Sequence, residues 1–175
     1  FVISHHAGDD FLTALSAKRH GPPGLRATLA DTWMAGRTGH TAFSNAWTVV
    51  VTPADDLDAI TDEIIAGNDW FADQPLVRGV LATSYDRLLD LEAIELQFPK
   101  DDRGDYIRRP TRGLDQTRVM HPVGGGLEFG WRLRLALEAA GVQILDRTFV
   151  TGLMRGGGKS VVGAVGIHRR TGEFC

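Results

Sequence analysis

The sequence predicts an α/β fold, with a parallel core sheet and an antiparallel β-meander appended to it. Three observations predict it. The first thirty residues run strand, helix, strand. Near the carboxyl end, GLEFGWRLRLALEAAG has helical periodicity, stops at Gly141 and passes directly into the β-branched stretch VQILDRTFVTGLM. The turns GGGK and RTGE then divide the remaining residues into short strands. A chain of 175 residues holds one domain with a real core and is short for two.

In chain order, FVIS is a short apolar strand. DDFLTALSAKRH places Phe11, Leu12 and Leu15 on one helical stripe, and HGPPG breaks that helix. LRATLA alternates as a strand and ends at Asp31. The resulting β-α-β unit should have parallel strands and a right-handed crossover. Residues 32–47 form a polar loop punctuated by glycine, and TVVVT makes a short strand. PADDLDAITDEIIAGND carries proline and aspartates at its start and glycine near its end, which are helix boundary signals. QPLVRGVLATSYDRLLDLEAI is a longer helix, with Leu76, Val80, Tyr85, Leu88 and Leu91 among its apolar positions. The stretch from Leu96 to Gly126 reads mostly as loop, with short extended pieces near Phe98 and Ile107.

Composition excludes several classes. A formal charge of −3 offers no electrostatic attraction for nucleic acid or an anionic membrane surface. The pairs Arg108-Arg109 and Arg169-Arg170 are too short for a basic patch and are expected in solvated loops. Cys175 is the single cysteine, so no disulfide within the chain and no cysteine-based zinc site is expected. That usage is compatible with a cytoplasmic location. No apolar run approaches the roughly 18 residues of a membrane helix, so no transmembrane segment is expected. The patterns at Phe1 and at GEFC read as cut, which suggests a segment of a longer protein.

The stretch SHHAGDD has two readings. His5, His6, Asp9 and Asp10 offer nitrogen and oxygen donors to a metal ion, as a metal-dependent hydrolase would use. Against this, neighbouring side chains on a strand point to opposite faces, and His20, His40, His121 and His168 are scattered with no paired carboxylate motif. The other reading is a dinucleotide turn between strand and helix. There G-x-G-x-x-G lets the backbone approach a pyrophosphate at the helix N-terminus, but the three positions are Ser4, His6 and Asp9, and Gly8 lies one place early. Asp31, closing the second strand, suits the acidic residue that accepts hydrogen bonds from the adenosine ribose; its plain reading is a turn aspartate.

RTGHTAFSNAW resembles the flavin-wrapping loop of the fumarate reductase and succinate dehydrogenase flavoprotein family, which includes L-aspartate oxidase and the flavoprotein subunit of adenylylsulfate reductase. The helix pair from DDLDAITDE to LEAIELQF, the segment GGGLEFGWRLRLALEAAGVQILDRTFVTGLM and the meander SVVGAVGIHRRTGEF resemble later segments of that family, in order. Departures are the lost glycines at Ser4, His6 and Asp9, Glu95 at the glycine of L-E-x-x-G, and a chain that stops before the family's capping domain.

The resemblance implies a partial, Rossmann-like FAD-binding domain over residues 1–175, with FAD as cofactor. The activity implied is hydride transfer on a small acidic substrate, and the partner implied is a possible electron-transfer subunit. It implies that Asp31 binds ribose and that amides of Ala7 and Gly8 meet the pyrophosphate, with His6 as a possible positive contact. Thr38, Gly39, Thr41 and Ser44 would line the flavin, and the Val150 backbone would meet adenine. His40 reads either as a noncovalent loop histidine or, from an offset R-S-H-T match, as a flavin attachment point. His121 reads as a flavin neighbour or as a loop residue without a duty, and Trp33, Trp47, Trp70 and Trp131 as packing residues. No catalytic residue is identified. Two further functional readings stand beside this one: a remnant domain that no longer binds FAD, and the metal-dependent hydrolase.

Overall fold

A computed structural model describes residues 2–4, 8–111, 113–158 and 160–175. His5, His6 and Ala7, the middle of SHHAGDD, lie outside the described residues. The chain divides into two compact units, Phe1–Ser44 with Gly126–Cys175, and Asn45–Gly125.

The first unit opens with β1 (Val2–Ser4), α1 (Gly8–His20) and β2 (Thr28–Asp31). Lys18, Arg19 and His20 occupy the last turn of α1, where positive charge complements the helix dipole. The strands β1 and β2 pair in parallel, as the β-α-β reading requires. Leu29 and Ala30 are buried because β2 is the middle strand of its sheet. The short helix α2 (His40–Phe43) interrupts the loop after β2.

The second unit begins with β3 (Thr48–Val49) and the helices α3 (Leu57–Gly67) and α4 (Gln74–Ala93). Asp56 caps α3 by accepting from the N–H groups of Asp58 and Ala59, and Asp73 caps α4 by accepting from Leu76 N–H. Both helices stand where the boundary signals place them, but the inner face of α4 differs from a reading of its apolar residues. Leu81 and Leu88 are buried, while Leu76 is 63% and Val80 59% exposed. The core here is Val51, Ile60 and Leu81, with Val77 and Leu57 packed against it. Glu95 follows α4 at φ +66°, the left-handed conformation that glycine adopts most cheaply.

The largest departure lies between Leu96 and Gly126. Instead of mostly loop, β4 (Arg109–Thr111) and the seven-residue β5 (Leu114–Met120) form with β3 an antiparallel sheet in the order β3-β5-β4. Glu63 of α3 fixes the start of β5. Its Oε1 accepts from the N–H groups of Asp115 and Gln116 at 2.5 and 2.8 Å, and its Oε2 from Thr117 N–H and Oγ1 at 2.7 and 2.6 Å. The Thr117 hydroxyl, opposed by desolvation and reinforced by the backbone donors, lowers the Glu63 pKa to about 2. A depressed carboxylate pKa contributes stability above the unfolded-state value and loses it as pH falls from about 4.5 toward about 2. Glu63→Gln should therefore cost about 1–2 kcal/mol at pH 7, solvent screening included. Urea unfolding at pH 7 and pH 3 should show the gap between wild type and variant narrowing in acid.

Arg108, expected in a solvated loop, instead holds Asp55 through Nη1 at 2.7 and 2.8 Å. Burial pushes the Asp55 carboxyl up, but hydrogen bonds from Thr52 and Arg108 more than offset it and hold its pKa below the ordinary range.

The chain then returns to the first unit with α5 (Gly125–Ala139), β6 (Gln143–Leu145), β7 (Thr148–Arg155) and β8 (Val161–His168). Gly126, Gly130, Leu133 and Leu137 form the buried stripe of α5. The strand β6 adds in parallel to β2, giving the order β1-β2-β6. The strands β7 and β8 form an antiparallel hairpin. The bridge between Ile167 and Phe174, with paired hydrogen bonds between Gly166 and Cys175, extends it into the expected meander. No helix among the described residues is long and apolar enough to cross a membrane.

Candidate functional site

In parallel sheets, ligands bind beyond the carboxyl ends of the strands. Asp31 is the last residue of β2 and only 7% exposed. Its Oδ1 accepts the Trp33 N–H at 2.6 Å, which fixes the carboxylate at the mouth of the sheet. The chain then turns back through residues 32–39 into α2. Gly39 at φ +86° makes the final bend, and that conformation favours glycine.

Two groups of residues hold this loop in place. The first is polar. Asp146, just after β6, accepts from Ala35 N–H at 2.8 Å, and Arg134 of α5 donates to the Ala35 carbonyl at 3.0 Å. Arg134 also pairs with Asp146 at 3.0 Å and with Glu138 at 2.9 Å. The hydrogen bond to Asp146 holds the Arg134 pKa above its ordinary value. The second group is steric. A Cβ on Gly126 would stand 1.7 Å from the Thr41 carbonyl oxygen, one on Gly130 2.7 Å from that of Gly36, and one on Gly36 2.5 Å from that of Gly130. Glycines at these positions let the loop lie directly on the helix backbone. Arg37 adds a guanidinium 4.1 Å above the Trp131 ring.

The loop and α2 enclose an open cleft of about 410 Å³ lined by Trp33, Thr38, Gly39, His40 and Phe43. Three expected site residues, Thr38, Gly39 and His40, therefore meet at one surface. The Thr38 hydroxyl is already committed: it accepts from Met34 N–H at 3.3 Å and donates to the Met34 carbonyl at 3.0 Å. Ser44 Oγ donates to the Thr41 carbonyl at 2.9 Å. Thr41 and Ser44 are not part of the cleft wall, and they serve the packing of α2 against α5. Val150 lies in β7 opposite Gly166. Gly8 is the first residue of α1, where helix N–H groups lack internal partners. His121 follows β5 in the Asn45–Gly125 unit.

Among the described residues no group of three His, Cys, Asp or Glu side chains could hold a metal ion. Trp33, Trp47 and Trp70 are 48%, 53% and 63% exposed, so their rings are only partly packed. Trp33 and Phe43 are the aromatic walls of the cleft. Sequence reading also missed Arg134, Asp146 and the α5 glycines. One signal for the last was present: two glycines four residues apart in the strongest helix of the chain mark a close backbone approach.

Residues 13–174 match a family model described as an FAD binding domain. The chain belongs to this family. FAD is its cofactor, and the match begins at Thr13, after the turn in which the three glycines are replaced. A relative from Methanothermobacter marburgensis, a subunit of fumarate reductase (CoM/CoB), is 29% identical over 130 residues, covering 74% of this chain and 24% of its own length. The solved structure of FrdA from E. coli quinol fumarate reductase superposes with a TM-score of 0.82 at 20% identity, over 98% of this chain and 30% of that one. Mycobacterium smegmatis Sdh1 in complex with UQ1 gives 0.80 at 20% identity, over 98% and 31%. Adenylylsulfate reductase from Archaeoglobus fulgidus gives 0.75 at 19%, over 98% and 28%. These structures share the fold. The FAD-binding domain seen here spans about a quarter of the length of the curated relative and about three tenths of the solved chains.

The residues present fit a flavin dinucleotide. The buried carboxylate of Asp31 stands at the strand end, where a ribose would be held. The cleft beside it falls in the range of about 300–1,000 Å³ that small-molecule sites occupy. Its walls are the aromatic side chains of Trp33 and Phe43 with Thr38, Gly39 and His40, a largely apolar surface on which a planar ring can lie.

Proposed function

We propose that the chain is part of an FAD-dependent oxidoreductase acting by hydride transfer on a small acidic substrate, and that residues 1–175 are one partial FAD-binding domain within it. Bound FAD would supply the hydride chemistry, and the protein supplies binding, orientation and electrostatics. Asp31 binds the ribose hydroxyls of the adenosine half. The Gly8 N–H at the start of α1 faces the pyrophosphate, and the amide of Ala7, outside the described residues, is assigned to it with Gly8. Thr38, Gly39 and His40, at the α2 end of the cleft, line the flavin, Thr41 and Ser44 support that wall, and the Val150 backbone meets adenine, on the side of Asp31. The observation that carries the reading is the placement of the resembled loop beside the buried strand-end carboxylate, within a chain that matches the family over 13–174.

Substrate contacts would come from parts of the protein beyond these residues, and an electron-transfer subunit would complete the assembly. The relative from Methanothermobacter marburgensis, itself one subunit of its enzyme by name, supports that arrangement. His40 acts as a noncovalent wall residue: it is exposed at the start of α2, and its spacing from Arg37 is one residue longer than in R-S-H-T. After addition of FAD, desalting and acid precipitation, the flavin colour should leave the pellet. Colour fixed in the pellet would instead establish covalent attachment.

A further inference from the structure

Trp33 is fixed on three sides. Its N–H donates to Asp31 at 2.6 Å, its carbonyl accepts from Arg147 N–H at 2.6 Å, and its ring lies under the Arg169 guanidinium, 3.5 Å from the centroid. Arg169 is tethered in turn. Its N–H donates to the Arg147 carbonyl at 2.7 Å and its Nη1 to the Thr32 carbonyl at 3.4 Å. Among the described residues Arg169 makes no ion pair. It is exposed in the turn after β8, as its sequence context suggested, and its guanidinium lies on the indole.

The indole nevertheless remains 48% exposed and lines the cleft, while Arg169 is not part of the cleft wall. The Arg169 guanidinium restrains an indole whose apolar surface is left partly uncovered. That preorganisation lowers the cost of stacking a second planar ring on it.

We propose that Trp33 is the stacking platform for the adenine ring of FAD, and that Arg169 is the positioning residue that holds it. The inference rests on the FAD reading and adds to it a residue pair and a ring. Reach selects adenine: the Trp33 backbone is one hydrogen bond from the carboxylate that would hold the adenosine ribose, and adenine is the ring joined to that ribose. The isoalloxazine lies beyond the pyrophosphate and the ribityl chain.

The test is a set of fluorescence titrations with FAD, FMN and ADP on the wild-type chain and on Trp33→Leu, Arg169→Met and Arg169→Lys. ADP should quench tryptophan emission in the wild type and not in Trp33→Leu. Trp33→Leu should weaken FAD and ADP about tenfold, the scale of one base stacked on an aromatic ring, with FMN unchanged. Arg169→Met should weaken FAD and ADP roughly threefold, and Arg169→Lys less, because a cation over the ring is kept. Arg169 is exposed, so its variants carry the test if Trp33→Leu does not fold. FAD and ADP affinities unchanged in the Arg169 variants would overturn the inference alone. FMN weakened in step with FAD would overturn the choice of adenine, since it would place the isoalloxazine on Trp33. A wild-type chain that binds neither FAD nor ADP would overturn the FAD reading, and this inference with it.

Discussion

Gly126→Ala should lower stability by about 3 kcal/mol and abolish the cleft. The added methyl would stand 1.7 Å from the Thr41 carbonyl oxygen and 2.8 Å from that of Ser44, distances at which backbone must move. The obstruction is backbone on both sides, so no side-chain rotation relieves it. Moving α2 away also breaks the hydrogen bond from Gly126 N–H to the Ser44 carbonyl, 3.0 Å long. In a chain of this size such a loss corresponds to roughly 10 °C in Tm. Thr38, Gly39 and His40 would be displaced with α2, so flavin binding should fall along with stability. Differential scanning fluorimetry with and without FAD reads both effects. A variant with wild-type Tm would mean that the loop does not lie on α5 as described.

Arg134→Met should have the second largest effect. The guanidinium is 15% exposed and ties three structures together: the Ala35 carbonyl of the loop, Asp146 after β6, and Glu138 of its own helix. Its removal leaves Asp146 with Ala35 N–H as the hydrogen bond still holding it to the loop. Breaking a fully buried pair costs about 3–5 kcal/mol, and because Asp146 is 29% exposed to water about 2 kcal/mol is expected. A double-mutant cycle with Asp146→Asn isolates the pair. The coupling should come to about 1–2 kcal/mol, and strictly additive variants would show that the loop is held by other means.

The parallel β-α-β opening, the capped helices α3 and α4, the long helix α5 and the terminal meander were legible because each carries local signals of its own. Asp56 and Asp73 announce helix starts, Gly141 at φ +72° announces an end, and the alternation of LRATLA announces a strand. The strand β5 was not legible, because LDQTRVM is polar over its first half and owes its pairing to Glu63, 52 to 54 residues earlier in the chain. The inner face of α4 was missed for a related reason. Apolar residues lie all round that helix, and packing decides which turn inward: Leu81 joins Ile60 of α3 in the core and Leu88 is buried, while Leu76 and Val80 face water.

The candidate site divides the same way. Asp31 was marked by its place at the end of the second strand, and the loop from Arg37 to His40 by its resemblance to the flavoprotein family. Trp33 was assigned to packing, since an aromatic residue in sequence gives no sign of which surface it will line. Arg134 and Asp146 act on the loop from about a hundred residues away, and their side chains become meaningful only once β6 lies beside β2. The missing glycines at Ser4, His6 and Asp9 count against a dinucleotide turn in sequence. In the fold, the strand end, the loop and the cleft are nevertheless assembled.

The most direct measurement on the FAD site is a titration of FAD and FMN into the purified chain and its Asp31→Asn variant, followed by flavin fluorescence. A ribose-binding carboxylate predicts tight FAD binding by the wild type. It also predicts a loss of about tenfold in Asp31→Asn for a charge-assisted hydrogen bond, and no change for FMN, which has no adenosine ribose. Equal affinity of wild type and variant for FAD, or no FAD binding by the wild type at all, would contradict it.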